Sequence, residues 1–450
     1  MGIFVIPTNR IVNKAVNSAS LEINAAREWV NKDITLVVVD NSDEKIMRQN
    51  TEYLKNYKKN SDFEIIHVDI KDQIKLIKDI SIKSGIPFDE LMNILLPQGI
   101  DYGKISNMVY IIVSMLNSDI FFRRDSDCDV NNIQKDEYPI LQELKYLGKA
   151  INLVRDSLCN PFDADSFGEE EILVVGSDYL GEWNLDVKDL KDSNENTIRT
   201  LLKLNDVEEE LIDYYIDIKY LGLLNDRAKK PALISVFNKK DSKELLNKDI
   251  FRYPECGNVS MKNVFKWIPN FIGQNGIGFD YNTQHLCSYL KVPILYHCSK
   301  INHVHDNNRK ELSKLKLYWK GMVKQFDFSL LTTAFANELI NSVKLDRNII
   351  GLDRVIKLSS NIPDIIEDCY MKMNISERRQ RVDILINDVL LLSKLDKYKP
   401  IADYLNESKE EIIKELNYEY EQSIKLYRLW PKIIEATSCL SKKENYFGSI

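Results

Sequence analysis

Apolar residues recur along the first 130 positions at two alternating spacings. Short β-branched runs predict strands, and runs with apolar residues three or four apart predict helices. The predicted strands cover 2–6, 34–39, 63–70 and 120–124, and helices are predicted at 17–31, from 72 and over 105–116. Strands that alternate with helices form a parallel sheet, because parallel neighbours need a crossover connection. We therefore expect an α/β protein whose first part forms a parallel sheet.

The pattern changes towards the carboxyl terminus. After about residue 308 nearly every segment has helical spacing, with breaks at 361–363 and 399–400, where prolines occur. This predicts a C-terminal all-helical domain. The predicted organisation is an α/β domain over 1–308, in two subregions (1–130 and 131–308, with a helical insertion near 195–225), followed by the helical domain over 309–450.

Charge and composition restrict the function classes. The chain has 450 residues, with 61 Lys and Arg against 68 Asp and Glu, and a formal net charge of −7. The hydrophobic fraction of 44% is ordinary for a globular protein. Proteins that bind duplex nucleic acid usually carry a basic excess, so we expect no nucleic-acid partner.

Cysteine usage and hydropathy bear on the compartment. The seven cysteines are far apart and include no CxxC pair, which argues against a disulfide framework. The longest apolar stretch, 108–122, is interrupted by Ser, Asn and Asp and is too short to span a bilayer. We therefore expect a cytoplasmic protein with no transmembrane segment.

Three aspartates follow directly on the predicted strand 120–124. They are Asp125, Asp127 and Asp129. In an extended chain, residues two apart point the same way, so Asp125 and Asp127 can converge on one point. Hard oxygen ligands at the mouth of an α/β sheet suit Mg²⁺ or Mn²⁺ that carries a phosphorylated ligand. The alternative is a solvated acidic loop.

Two arginines, Arg123 and Arg124, precede these aspartates. Because side chains alternate along a strand, one arginine should face each side of the sheet. An arginine at the ligand mouth suits phosphate oxygens, because its planar fork can bind them in pairs. The alternative is an internal salt bridge with one of the aspartates.

Histidines concentrate near residue 300, where three of the five lie within 297–305. Imidazole is a good further ligand for Mn²⁺ where carboxylates supply the others. Structural zinc is less favoured, because Cys298 has no second cysteine pair. The side chains of Arg309 and Lys310 could neutralise a diphosphate leaving group, or they could simply lie at the start of a solvated helix. The residues of this cluster that are candidates for a site are His297, His303, His305, Asp306, Arg309 and Lys310.

The order of these elements resembles a GT-A fold nucleotide-sugar glycosyltransferase, close to glycosyltransferase family 2. The resemblance implies a GT-A-type, Rossmann-like mixed sheet with helices on both faces. Residues 7–10, Pro-Thr-Asn-Arg, stand where that family begins its nucleotide pocket. Asp40 matches the aspartate that binds the base or ribose. Lys104 and Asn107 lie in a helix that resembles the segment before the family's DxD motif. Residues 125–127, Asp-Ser-Asp, match the DxD motif itself, which in the family holds a divalent metal on the donor diphosphate.

A downstream segment is similar to polypeptide N-acetylgalactosaminyltransferases. Residues 298–304, Cys-Ser-Lys-Ile-Asn-His-Val, resemble their Cys-Ser-x-x-Gly-His-Val pattern, although Asn302 replaces the glycine. By this correspondence His303 would be the third metal ligand. Asp280 would stand where that family has an acidic residue facing the acceptor.

The resemblance implies a metal-dependent glycosyltransferase with a nucleotide-sugar donor, a UDP-sugar being favoured by family prevalence, and with Mn²⁺ or Mg²⁺ as cofactor. The metal ligands would be Asp125, Asp127 and His303. For an inverting reaction Asp280 would be the general base, and Arg124 would assist the leaving group. Retention, which the similarity around His303 favours, would need no base so placed. The residues that bind the nucleotide-sugar donor would be Pro7, Thr8, Arg10, Asp40, Lys104, Asn107, Asp125, Ser126 and Arg309.

The acceptor stays open between a small molecule, a glycan and a peptide. The predicted loop 176–186 contains Asp178 and Trp183, which could form an acceptor wall, because aromatic rings stack on sugars and carboxylates bind hydroxyls. The alternative is that Trp183 anchors the loop to the core. Two other functions also stay open, a nucleotidyltransferase and a non-catalytic scaffold that works through the helical domain. That domain is in addition a candidate homodimer surface.

Overall fold

A computed structural model describes most of the chain. The described residues are 2–30, 33–159, 165, 167–181, 188–207, 209–216, 230–234, 254–304, 311–345, 349–440 and 446–447. The strands are β1 (Gly2–Thr8), β2 (Ile34–Asp40), β3 (Ile65–Val68), β4 (Ile120–Arg124), β5 (Cys128–Asp129), β6 (Val174–Gly176), β7 (Tyr179–Gly181), β8 (Ala232–Ile234), β9 (Asn258–Lys262), β10 (Ile294–Tyr296) and β11 (Ile301–His303).

Eight of these strands form one mixed sheet, in the order β3-β2-β1-β4-β9-β6-β10-β8. The first four are parallel to one another, as the alternation of strands and helices predicts. β9 runs antiparallel to both of its neighbours, β4 and β6, while β10 is parallel to β6 and antiparallel to β8. The predicted α/β class with a mixed sheet is confirmed.

Helices cover both faces of the sheet. Aspartate side chains cap three of them, at Asp43, Asp69 and Asp101, each accepting a backbone N–H of the first helical turn. The helices of the α/β region are α1 (Asn13–Val30), α2 (Glu44–Lys58), α3 (Ile70–Ser84), α4 (Phe88–Leu95), α5 (Tyr102–Met115), α6 (Pro139–Tyr146), α7 (Ile151–Val154), α8 (Lys188–Ser193), α9 (Glu195–Leu204), α10 (Glu209–Tyr215) and α11 (Asn282–Tyr289).

The predicted C-terminal helical region is present. Its helices are α12 (Leu312–Leu345), α13 (Gly351–Ser359), α14 (Ile362–Met371), α15 (Ile375–Ile384) and α16 (Lys399–Leu440), with a π-helical turn at Leu385–Leu391. One hydrophobic cluster runs from the sheet through α3 and α5 into α12 and α16. The C-terminal helices and the sheet therefore share one hydrophobic core. None of the helices within the described ranges is both long and apolar enough to cross a membrane.

A small second sheet, β5-β11-β7, determines where the site forms. β11 is antiparallel to β5 and parallel to β7. This pairing brings three segments that are distant in sequence to the carboxyl end of β4. As a result, His303 lies opposite Cys128, one residue after Asp127.

Candidate functional site

Arg123, near the carboxyl end of β4, organises the candidate site. Its Nε and one terminal nitrogen donate to the same oxygen of Asp125, at 3.1 and 3.0 Å. The other terminal nitrogen donates to the Ser106 hydroxyl of α5 at 2.6 Å. The terminal nitrogen that donates to Asp125 also lies 3.6 Å from Oδ2 of Asp280. Arg123 thus forms the internal salt bridge that was one of the two sequence-based alternatives, and it joins two distant carboxylates.

Asp280 lies in a 3₁₀ turn, Phe279–Tyr281, which follows a left-handed glycine, Gly278, at φ 82°. Its side chain is nearly buried, with 7% exposed. Burial raises the pKa of Asp280 to about 6, and the positive charge of Arg123 acts in the opposite direction. A carboxylate with this pKa is ionised at neutral pH and is still basic enough to accept a proton.

Tyr179 of β7 connects Asp125 to His303. Its hydroxyl donates to Asp125 Oδ2 at 3.3 Å and accepts the Gly257 N–H at 2.9 Å. Its ring stacks on the His303 imidazole, with centroids 4.5 Å apart and an interplanar angle of 9°. A Cβ on Gly257 would lie 2.3 Å from the tyrosine hydroxyl and 2.6 Å from the Asp125 carboxylate, so the backbone approach requires glycine.

Asp127 lies between His303 and Arg10 at the edge of the site. Asp127 Oδ2 lies 3.6 Å from His303 Nε2 and 3.3 Å from a guanidinium nitrogen of Arg10. Adjacent ligands of an octahedral cation, bonded at about 2.1 Å, lie about 3 Å apart, so the two atoms are farther apart here than one such ion requires.

Asp125 does not fit the predicted metal set, because Arg123 and Tyr179 engage both of its oxygens. Among the residues that the structure describes, no group of three His, Cys, Asp or Glu side chains could hold a metal ion. The prediction that Asp125, Asp127 and His303 together form a three-ligand metal site is therefore corrected.

Arg124 lies on the opposite side of the sheet from Arg123, between α1 and α6. Its guanidinium forms salt bridges with Glu22 at 2.8 Å and Glu143 at 2.9 Å, and both carboxylates are fully buried. All five N–H donors of the guanidinium are used, four by these carboxylates and one by the Arg123 carbonyl. The predicted leaving-group role of Arg124 is therefore corrected: a saturated, buried guanidinium has no donor left for a phosphate.

Asp40 is buried at the end of β2 and is 0% exposed. Its carboxylate accepts the Ser42 N–H at 2.9 Å and the Asn50 amide at 2.9 Å, and it contacts His67 Nε2 at 3.0 Å. Burial opposes ionisation, but these hydrogen bonds outweigh it and lower the pKa of Asp40. The predicted contact with a base or ribose is corrected, because the carboxylate is enclosed by protein.

Lys104 and Asn107 also lie away from the carboxylates. The Lys104 ammonium donates to the Asn93 carbonyl at 2.6 Å, at the end of α4. The Asn107 amide exchanges two hydrogen bonds with the backbone of Asn270, at 2.9 and 2.7 Å. Both predicted donor contacts are corrected: these side chains hold α5 against its neighbours.

The other described residues that were predicted to bind the nucleotide-sugar donor lie near the carboxyl ends of β1 and β4. Pro7 is buried within β1. Thr8 forms a turn in which its hydroxyl bonds the backbone of Arg10 at 3.0 and 3.1 Å. Ser126 is half-buried in the turn between Asp125 and Asp127. Arg10 is the member of this group that contacts an acidic side chain of the site, at Asp127.

Other predicted residues are elsewhere or outside the described ranges. Asp178 is 4% exposed, and its carboxylate accepts the Tyr179 N–H at 3.0 Å, so it does not form an open acceptor wall. Asp129 bonds the Asn302 amide at 3.1 Å, and His297 is fully buried. The residues that lie outside the described ranges are Trp183, His305, Asp306, Arg309 and Lys310.

A rim of residues around Asp280 was not predicted from the sequence. The Cys256 thiol donates to the Asp280 carbonyl at 3.3 Å, and the Tyr281 hydroxyl bonds the Glu255 carboxylate. The sequence signal for this rim is weak: an acid and a cysteine precede the Gly257 strand, and nothing local links them to Tyr281.

Family comparison covers nearly the whole chain. One family model matches residues 3–445, a range that includes every residue of the site described above. No curated protein matches the chain. The matching family is described as one of unknown function, and the chain belongs to it, as a member of DUF6271.

Proposed function

We propose that the protein is a glycosyltransferase that uses a nucleotide-sugar donor, with a UDP-sugar favoured, together with a divalent cation. The observation that carries the proposal is the convergence of acidic residues and a histidine from three distant segments at the carboxyl end of β4. These residues are Asp125, Asp127, Asp280 and His303. Ligands of α/β sheets collect at such strand ends.

On the donor side, Asp127 and His303 would hold the cation, which supplies Lewis-acid neutralisation of the donor diphosphate. Arg10 adds a fixed positive charge beside Asp127 for the phosphate oxygens. Asn50 holds the loop of Arg10, because its amide donates to the Arg10 carbonyl at 3.0 Å and accepts the Val12 N–H at 3.1 Å. Stacking on Tyr179 sets the plane of the His303 imidazole.

On the acceptor side, Asp280 takes the proton of the acceptor hydroxyl. With a pKa of about 6, Asp280 is ionised at pH 7, and Arg123 holds it in place. As the proton moves to the carboxylate, the hydroxyl oxygen bonds to the anomeric carbon and the bond to the diphosphate breaks, with both electrons leaving on the nucleotide. A single displacement of this kind inverts the anomeric configuration.

Nucleotide binding provides the direct test. Thermal unfolding would be followed with UDP, GDP, dTDP and CMP, each with and without Mn²⁺, and nucleotide release would be measured with the matching sugar donors. We expect one nucleotide to stabilise the protein only when the cation is present. A ligand at 100 times its dissociation constant adds about 2.7 kcal/mol, which is readily seen.

Two variants make the test specific. Asp127→Asn should lose both the thermal shift and nucleotide release. The matched control is Glu435→Gln, an exposed carboxylate on α16, which should keep both. A folded, monodisperse protein that shifts with none of the nucleotides would overturn the proposal. A shift that survives in Asp127→Asn would overturn the assigned cation site.

A further inference from the structure

Residues 269–281, which we call the Asp280 segment, connect the sheet to α11 with little regular structure. A single 3₁₀ turn, Phe279–Tyr281, is the regular element there, and it comes at the end of the segment. Buried backbone N–H and C=O groups need hydrogen-bond partners. Because the segment supplies few of its own, its conformation depends on groups from other elements.

Helix α16 of the C-terminal region supplies three of these partners. Side chains one helical turn apart, on one face of the helix, reach the backbone of the segment. The bonds are Ile272 N–H to Ser423 Oγ at 3.0 Å, Gln274 N–H to Glu419 Oε1 at 2.9 Å and Tyr427 O–H to the Pro269 carbonyl at 2.7 Å. The Tyr427 hydroxyl also accepts the amide of Asn282, directly after the segment.

Helix α12 also contacts the Asp280 segment, through Lys324. The Lys324 ammonium is fully buried and donates to the Gln274 carbonyl at 2.8 Å and to Glu419 at 2.6 Å. Gly273 lies so close to Glu419 that a Cβ there would come within 2.7 Å of the carboxylate. The segment is therefore held on both sides by side chains of the helical region.

We propose that the C-terminal helices position Asp280. Ser423 and Tyr427 of α16, with Lys324 of α12, are positioning residues that hold the Asp280 segment so that the Asp280 carboxylate faces Arg123. The inference rests on the proposed function only for the role of Asp280 as a base. The positioning itself is measured without turnover.

Matched pairs of variants on one helix test the proposal. Ser423→Ala removes a hydroxyl that bonds Ile272, whereas Ser408→Ala removes one that bonds only within α16, to Tyr404 at 2.6 Å. Tyr427→Phe is paired in the same way with Tyr418→Phe, whose hydroxyl contacts Asn93 of α4.

Hydrogen exchange followed by mass spectrometry is the first readout. Loss of one buried hydrogen bond should speed amide exchange in 269–281 by about five- to tenfold in Ser423→Ala and Tyr427→Phe. The peptides of the central sheet should exchange as in the unmodified chain. The controls Ser408→Ala and Tyr418→Phe should leave exchange in 269–281 unchanged.

Titration of Asp280 is the second readout, one that a purely structural role would not move. The carboxyl signal would be followed by ¹³C NMR of aspartate-labelled protein and assigned with Asp280→Asn. Burial is the largest influence on the pKa of Asp280, and it raises that pKa. Loosening the segment should therefore lower the pKa towards that of an ordinary aspartate in Ser423→Ala and Tyr427→Phe, but not in the controls.

The outcomes separate this inference from the proposed function. Faster local exchange together with a lowered Asp280 pKa supports positioning, even if no sugar donor proves to be used. Exchange that is unchanged, or that rises equally in the controls, would overturn it. Faster exchange with an unchanged Asp280 pKa would also overturn it, because the helices would then hold the segment without affecting the carboxylate.

Discussion

Arg123 and Arg124 are neighbours on one strand, yet they belong to two different environments. Arg124 is 3% exposed and pairs with two carboxylates that are 0% exposed. Arg123 is 6% exposed but pairs with Asp125, of which 28% is exposed, and approaches Asp280. One arginine completes a fully buried cluster, and the other pairs with a carboxylate that is partly exposed. The two arginines are almost equally buried, so their environments differ in the exposure of the carboxylate that each one bonds most closely.

The first prediction separates catalysis from stability at Asp280. Asp280→Asn should reduce the proposed glycosyl transfer by about 10²- to 10⁴-fold, because the variant removes the proposed base. The free energy of unfolding should change by less than about 1 kcal/mol, because Asn has nearly the same shape and no charge to bury. Steady-state turnover with the donor identified by thermal shift, and urea unfolding, measure the two quantities. Full activity in this variant would remove Asp280 from the mechanism.

The second prediction concerns the buried cluster of Arg124, Glu22 and Glu143. Arg124→Met should lower the free energy of unfolding by about 3–5 kcal/mol, because Glu22 and Glu143 would remain buried without a partner. Urea unfolding measures the loss. Adding Glu22→Gln and Glu143→Gln to this variant should recover much of the stability, since no unpaired charge is then buried. A failure to recover would mean that packing, not charge, dominates this cluster.

The third prediction concerns the pH dependence of activity and the contact between Arg123 and Asp280. In the unmodified chain, transfer should fall as pH drops through about 6, where Asp280 takes up a proton. The charge of Arg123 lowers the pKa of Asp280, so Arg123→Gln should raise it and move this acidic limb up by about one pH unit. The pH dependence of kcat/KM measures the limb. A limb that stays in place would show that Arg123 does not act on Asp280.

The smallest expected effect is at Tyr179. Tyr179→Phe keeps the ring stacked on His303 but removes the hydroxyl that bonds Asp125 and Gly257. We expect a loss of about 1 kcal/mol in urea unfolding, the usual net value of a buried hydrogen bond. Tyr53→Phe is the control, because its hydroxyl bonds Asn17 at an exposed position and should cost close to nothing. Equal losses in both variants would count against a special role for the Tyr179 hydroxyl.

Much of the fold could be predicted from local patterns. β2 consists of β-branched and aliphatic residues before Asp40, and α16 carries apolar residues at helical spacing over most of its length. Periodicity of this kind reports which face of an element is buried, and so it identifies the class of fold. The antiparallel direction of β9 could not be predicted in this way, because strand direction depends on how distant segments pair.

The candidate site was predictable only to a limited extent. The side-chain alternation along β4 correctly placed Arg123 and Arg124 on opposite faces, but it could not say which of them faces the acidic residues. The signal at Asp40 was misleading, since a carboxylate at a strand end looks the same in sequence whether a ligand or the protein itself surrounds it. Here Asn50 and His67 surround it.

Residue types and local spacing were enough to predict four strands of the large sheet, the helical spacing of the C-terminal region, and the acidic run that begins at Asp125. Those properties follow from patterns that extend over a few turns or pleats. Which charges meet was settled only by the packing of the folded chain. Whether Arg123 contacts Asp280, and whether His303 lies beside Asp127, depends on the pairing of β11 with β5 and on the helices that hold the Asp280 segment. Contacts of this kind join residues that are far apart in the chain, where short-range spacing carries no information.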